Sequence, residues 1–134
     1  MEVGNAGPIK GFGADLFILA GSFQGNGTSD PTAAGKRSPP GFIWTVVRDG
    51  AVGLYKITLD PACRIPELPL DIDCSMQGAV LATDRCEVMG IGEFDLTSQF
   101  FRIQLHRAGT AFELPATAGN RVNFKLFVRN TTGR

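Results

Sequence analysis

The strongest constraint in this chain is the run Asn120-Arg121-Val122-Asn123-Phe124-Lys125-Leu126-Phe127-Val128-Arg129-Asn130. Val122, Phe124, Leu126 and Val128 alternate with Arg121, Asn123, Lys125 and Arg129. Successive side chains of a β-strand point to opposite faces, so one face of this strand is apolar and the other mostly polar. Phe127 interrupts the polar face. A strand with one dry face needs a second layer to cover it, which confines the chain to architectures in which sheets pack on sheets or close on themselves.

The remaining sequence supplies further strands. Asp15–Gln24 places Phe17, Leu19 and Gly21 on one face. Phe42–Arg48 is apolar on both faces, which predicts a central strand or one with a face against another subunit. Asp49-Gly50 follows it, and Leu54–Leu59 alternates beyond. Asp-Gly between alternating runs signals a hairpin, because Gly accepts the positive φ of a tight turn; here the loop can extend through Gly53. Met76–Thr83, Cys86–Phe94 and Ser98–His106 are three more candidates, with Phe101, Ile103 and Leu105 predicted to face inward and Gly90 and Gly92 predicted to mark a bulge or bend. Pro61, Pro66 and Pro69 exclude a regular helix or an internal strand from 60–75, which reads as a crossover between sheets. Residues 25–41 form a long loop of turn residues, and Thr110–Gly119 forms another, with a short turn at Phe112–Leu114. The expected fold is all-β: an antiparallel two-sheet sandwich, jelly-roll-like, with about seven to eight strands and little or no helix. Pattern alone leaves a closed barrel open as the alternative; the two long connections favour the sandwich. Residues 1–14, with four glycines and Pro8, read as a flexible N-terminal arm, and 15–134 as one β-sandwich domain.

Chemistry-bearing patterns are few. Thirteen basic and thirteen acidic residues balance, so there is no basic excess of the kind that recognises nucleic acid. No run of about 18 apolar residues suggests a membrane span. Met1–Asn5 lacks the basic and apolar regions of a signal peptide, so none is expected. Cys63, Cys74 and Cys86 form no Cys-x-x-Cys pattern and read as reduced thiols, with a Cys63–Cys74 bridge as the alternative. His106, the only histidine, falls on the polar face of its strand, and no Gly-x-Ser-x-Gly is present. Glu67, Asp71 and Asp73 lack the dense oxygen-ligand spacing of a calcium loop and read as solvated loop residues. The sequence therefore gives no catalytic residue, no metal site and no cofactor site, and an enzyme is not expected.

What it offers instead is apolar surface for a partner. Ile9 and Phe12 are apolar handles on the arm, and Arg37, Pro39 and Pro40 lie in the long loop. Trp44 and Phe127 are candidate aromatic anchors.

Gly21-Ser22-Phe23 with Asn26-Gly27-Thr28, Gly41-Phe42 leading through Val46-Val47-Arg48 to Gly53–Leu59, and Gly119–Phe124 with Val128-Arg129-Asn130 together give the chain a family likeness. Over roughly residues 15–130 it resembles the jelly-roll capsid decoration, or cement, proteins of tailed bacteriophages. The resemblance rests on strand and turn patterns and brings no catalytic residues. It implies a structural virion protein, made in the host cytoplasm, that binds the outside of an icosahedral head and bridges and stabilises subunits of the major capsid protein. It implies a homodimer, with a trimer as the alternative, and no direct contact with nucleic acid or membrane. The competing expectation is a receptor- or carbohydrate-binding β-sandwich of a phage tail or fibre, in which Trp44 or Tyr55 would stack on a sugar.

Overall fold

The computed structural model describes residues 16–31, 37–78, 85–116 and 119–129. The arm at 1–14, with Ile9 and Phe12, lies outside the described residues. Among the described residues nine strands form two antiparallel sheets: β1 (Leu16–Gln24), β2 (Arg37–Ser38), β3 (Trp44–Arg48), β4 (Leu54–Leu59), β5 (Asp71–Gln77), β6 (Cys86–Asp95), β7 (Phe100–Arg107), β8 (Thr110–Ala111) and β9 (Arg121–Arg129). The first sheet has the order β2-β1-β9-β5; the second has the order β3-β4-β7-β6, with β8 also on β7. The two sheets share one apolar core, so the chain is a β-sandwich of the jelly-roll-like kind the alternation predicts. Among the described residues the only helical element is a 3₁₀ turn at Pro61–Cys63, whose first turn is capped by Asp60.

β9 lies between β1 and β5. It pairs with all nine residues of β1, from Leu16↔Arg129 to Gln24↔Arg121, and with β5 from Asp71↔Phe127 to Gln77↔Arg121. Val122, Phe124, Leu126 and Val128 are buried, so the apolar face reads as expected. The Asp49-Gly50 hairpin forms between β3 and β4, with Gly50 and Gly53 both at positive φ. Phe101, Ile103 and Leu105 point into the core. The predicted irregularity at Gly90 and Gly92 is present: the β6–β7 register shifts between Ile91 and Asp95, and Gly92 has φ +73°.

Three expectations are corrected. β3 is an edge strand, not a central one. Its two-sided apolar pattern arises because Phe42, Trp44 and Val46 enter the core while Val47 lies half-buried on the outer face. The strand expected at Met76–Thr83 begins earlier, at Asp71; Ile72, Cys74 and Met76 alternate with Asp71, Asp73 and Ser75, and pairing with β9 selects that window once Pro69 is passed. Residues 79–83 of that expectation lie outside the described residues. Finally, β2 and β8 are short strands within stretches read as loops, and no turn forms at Phe112–Leu114. Two paired residues leave too little alternation to register in a sequence.

Gly21 controls how closely the sheets approach. A Cβ there would lie 2.7 Å from Phe124 Cζ and 2.7 Å from the Trp44 ring, so the absent side chain is the space those rings occupy. Gly90, by contrast, has open space where a Cβ would go. Gly21→Ala is expected to destabilise the fold by roughly 1–3 kcal/mol through overpacking. Gly90→Ala should change stability far less, and urea unfolding of the two variants checks the difference.

Candidate partner-binding groove

The two ends of the sandwich are built differently. At the end where β3 finishes, Arg48 Nε donates to Glu113 Oε1 at 2.7 Å, and Arg48 Nη2 lies 2.6 Å from the same oxygen. Tyr55 Oη donates to Glu113 Oε2 at 3.3 Å and accepts from the Leu114 N–H at 3.1 Å. Leu114 is fully buried, and the Gly25 backbone packs so closely on it that a Cβ would fall 2.6 Å from its side chain. Every member of this cluster has a partner, so the end is closed and rigid.

Among the described residues the opposite end is open. Phe17 and Leu19 of β1 and Val128 of β9 form one wall of an apolar groove of about 320 Å³. Pro39, Pro40 and Phe42 form a second side, and Cys63, Arg64, Ile65 and Pro66 a third. Its frame is held by local polar contacts. Cys63 Sγ accepts from the Ile43 N–H at 3.2 Å and donates to the Gly41 carbonyl at 3.4 Å, which ties the 3₁₀ turn to the loop before β3. Gln99, buried and at φ +58°, accepts from the Ile65 N–H at 2.7 Å and donates to the carbonyls of Ile65 and Leu96 at 3.1 and 2.8 Å. One amide thus satisfies the backbone of the proline-rich crossover where it enters the core. Arg64 Nη2 adds a bond to the Leu96 carbonyl at 3.0 Å.

The structure brings Pro39 and Pro40 together at this groove. The backbone of Arg37, in β2 just before them in sequence, pairs with Gly21 of β1. Phe127 is half-buried on the outer face of the first sheet, beside Ile18 and Asp71 across the ladder, and so faces away from the groove. Trp44 is corrected: it is 2% exposed and packs edge-on against Phe124 at 5.0 Å between ring centroids, so it is a core residue and not a surface anchor. Tyr55, at 1% exposure, is likewise in the core, so neither aromatic can stack on a sugar. Sequence reasoning missed Phe17, Leu19, Phe42 and Ile65 as groove residues because each reads as an ordinary core position. Only their convergence at one end of the sandwich makes them a groove.

No cysteine is in a disulfide, and burial together with neighbouring Asp73 pushes the Cys74 thiol up to about 12, which keeps it protonated and unreactive. Among the described residues no three His, Cys, Asp or Glu side chains converge as a metal site, and no helix is long and apolar enough to cross a membrane. Asp71 and Asp73 lie on the outer face of β5, opposite Phe127 and Lys125, rather than in a loop. Comparison with protein-family models, curated proteins and solved structures finds no match.

The closed end titrates at both extremes of pH. Burial raises the Tyr55 phenol to about 12 from its ordinary 10.0. A raised phenol contributes stability that is complete below about 10 and lost as pH climbs towards 12. Tyr55 is the only tyrosine, so tyrosinate absorbance in the near ultraviolet should titrate near 12 in the folded protein and near 10 once unfolded. Burial also opposes ionisation of Glu113, but Arg48, the Gly53 N–H and Tyr55 outweigh it and hold the carboxyl below its ordinary value of 4.5. Stability should therefore fall as pH drops from 4.5 through that lower value. Glu113→Gln should flatten this slope without abolishing it, because Asp49, held low chiefly by its hydrogen bond from Arg102, contributes in the same window. Chemical denaturation across the acid range reads the slope.

Proposed function

We propose that this chain is a structural virion protein that decorates the outside of an icosahedral phage head and stabilises it by bridging subunits of the major capsid protein. The sequence resemblance supplies the class. The observation that supports a docking role is the apolar groove, where Phe17 and Leu19 are only half-buried at the end of the sandwich while its rim is held by Gln99 and Cys63. A preorganised groove loses little conformational entropy on binding, so its apolar area converts efficiently to affinity. The expected occupant is an apolar side chain or short extended segment of the capsid subunit.

The mechanism is mechanical. A filled head is under outward stress, and a rigid domain spanning a seam adds contact area that must be broken before the seam opens. Two footprints on one dimer make the second contact effectively intramolecular, so modest individual sites combine into strong attachment. With Trp44 and Tyr55 in the core, the aromatic surface that a sugar-binding reading requires of them is not presented.

The test mixes purified protein with expanded heads that lack it and images them by cryo-electron microscopy. Regular density at seams or symmetry axes, saturating at a fixed stoichiometry, is the expected result. Phe17→Glu, which puts a charge on the groove wall, should weaken attachment by roughly 30-fold or more, the range of a binding hot spot. Folded protein that leaves the heads bare would overturn the proposal.

A further inference from the structure

The groove at the open end carries charge of one sign. Among the described residues Arg64 and Arg129 line it and no acidic residue does. Elsewhere in the sandwich arginines are neutralised: Arg48 pairs with Glu113, and Arg102 with Asp49. Among the described residues neither Arg64 nor Arg129 is in such a pair. Arg64 is also held in place. Cys63 before it is fixed to Ile43 and Gly41, and Ile65 after it has both its N–H and its carbonyl bonded to Gln99. The Arg64 guanidinium donates from Nη2 to the Leu96 carbonyl at 3.0 Å and from Nη1 to the Thr97 carbonyl at 3.4 Å, and its Nε–H bonds to no described residue. Carbonyls orient a guanidinium without neutralising it, so its charge and a free N–H remain for a ligand. Arg129 is exposed where β9 ends, next to Val128 of the groove wall. By alternation its side chain takes the outer face, so its charge flanks the groove at the lip.

We propose that the groove takes an extended segment in which an acidic residue stands next to an apolar one. The apolar side chain seats on Phe17 and Leu19, and the carboxylate pairs with Arg64. Walls of low dielectric constant focus the field of a single sign of charge, which favours an anion at this place over a neutral group. A wholly apolar occupant would draw nothing from Arg64. A small anion alone would answer the charge and leave the apolar walls wet. Only a segment with both kinds of side chain uses both features. This inference rests on the docking reading of the same groove and deepens it by naming the chemistry of the segment. Arg64 is exposed, so its pair with a carboxylate is worth a factor of a few in affinity, not orders of magnitude.

The test titrates the isotopically labelled full chain with acetyl-Glu-Leu-Glu-Leu-Glu-amide and with the same peptide carrying Gln for Glu. Amide resonances of Ile65 and Val128 report on the groove. The Glu peptide is expected to shift both and to bind roughly fivefold more tightly than the Gln peptide at low salt. The preference should shrink when the ionic strength is raised to about 1 M. Arg64→Gln should remove most of it, Arg129→Gln a smaller part, and Arg121→Gln, at the other end of β9, none. Arg64→Lys should keep part of it, because the charge survives and the planar fork does not. A purely structural role for Arg64 would leave the ratio of the two peptides unchanged in every variant. Equal binding of the two peptides would overturn the inference, as would a preference that survives Arg64→Gln or the absence of any shift at Ile65 and Val128. So would displacement of the Glu peptide by an equal concentration of inorganic phosphate, which would make this an anion site. The capsid reading fails separately: a Glu preference in a protein that leaves heads bare keeps this inference and removes the head, whereas decorated heads with equal peptide binding do the reverse.

Discussion

The structure depends on the insertion of Phe124 between the sheets. Phe124 sits on β9, inside the first sheet, and meets Trp44 of β3 at 5.0 Å, Phe101 of β7 at 5.5 Å and Phe42 at 6.5 Å between centroids, all in edge-on geometry. Three segments of the second sheet's side are thus referenced to one ring of the first. Edge-to-face contacts add to simple area burial, and the cluster works only because Gly21, beside Phe124 on β1, contributes no side chain. Remove that vacancy and either ring must move, which shifts both sheets.

Around this centre, among the described residues, the fold is closed at one end and open at the other, and the difference lies in whether apolar side chains are covered. At the closed end Tyr55, Arg48 and Glu113 consume one another's hydrogen-bonding capacity while Leu114 seals the gap. At the open end Gln99 and Cys63 also satisfy backbone groups, but they do so on the frame, leaving the apolar wall of Phe17 and Leu19 uncovered. Buried polar groups without partners are costly, so a groove whose framework is already hydrogen-bonded can hold its shape without an occupant. A docking surface therefore coexists with a stable domain.

The β5–β6 side shows the management of an edge. The bulge after Ile91 bends β6 out of line, which limits how far any strand could extend along it.

The sequence by itself determined the period-two elements. β9, the β3–β4 hairpin and β7 could be read residue by residue, because alternation and an Asp-Gly turn are local properties of the chain. So could the irregularity at Gly90 and Gly92. Only the tertiary structure decided which strands are edges, where β5 begins and which aromatic residues are buried. Phe42–Arg48 carries apolar residues on both faces, and a sequence cannot distinguish a central strand from an edge strand whose outer face is partly apolar. Trp44 looks equally suited to core and surface until Gly21 opens a slot for it. The groove was illegible for the same reason. Phe17, Phe42, Ile65 and Val128 come from four separated segments, each with the pattern of a core residue, and whether that core is capped is a property of how the segments meet, not of any one of them.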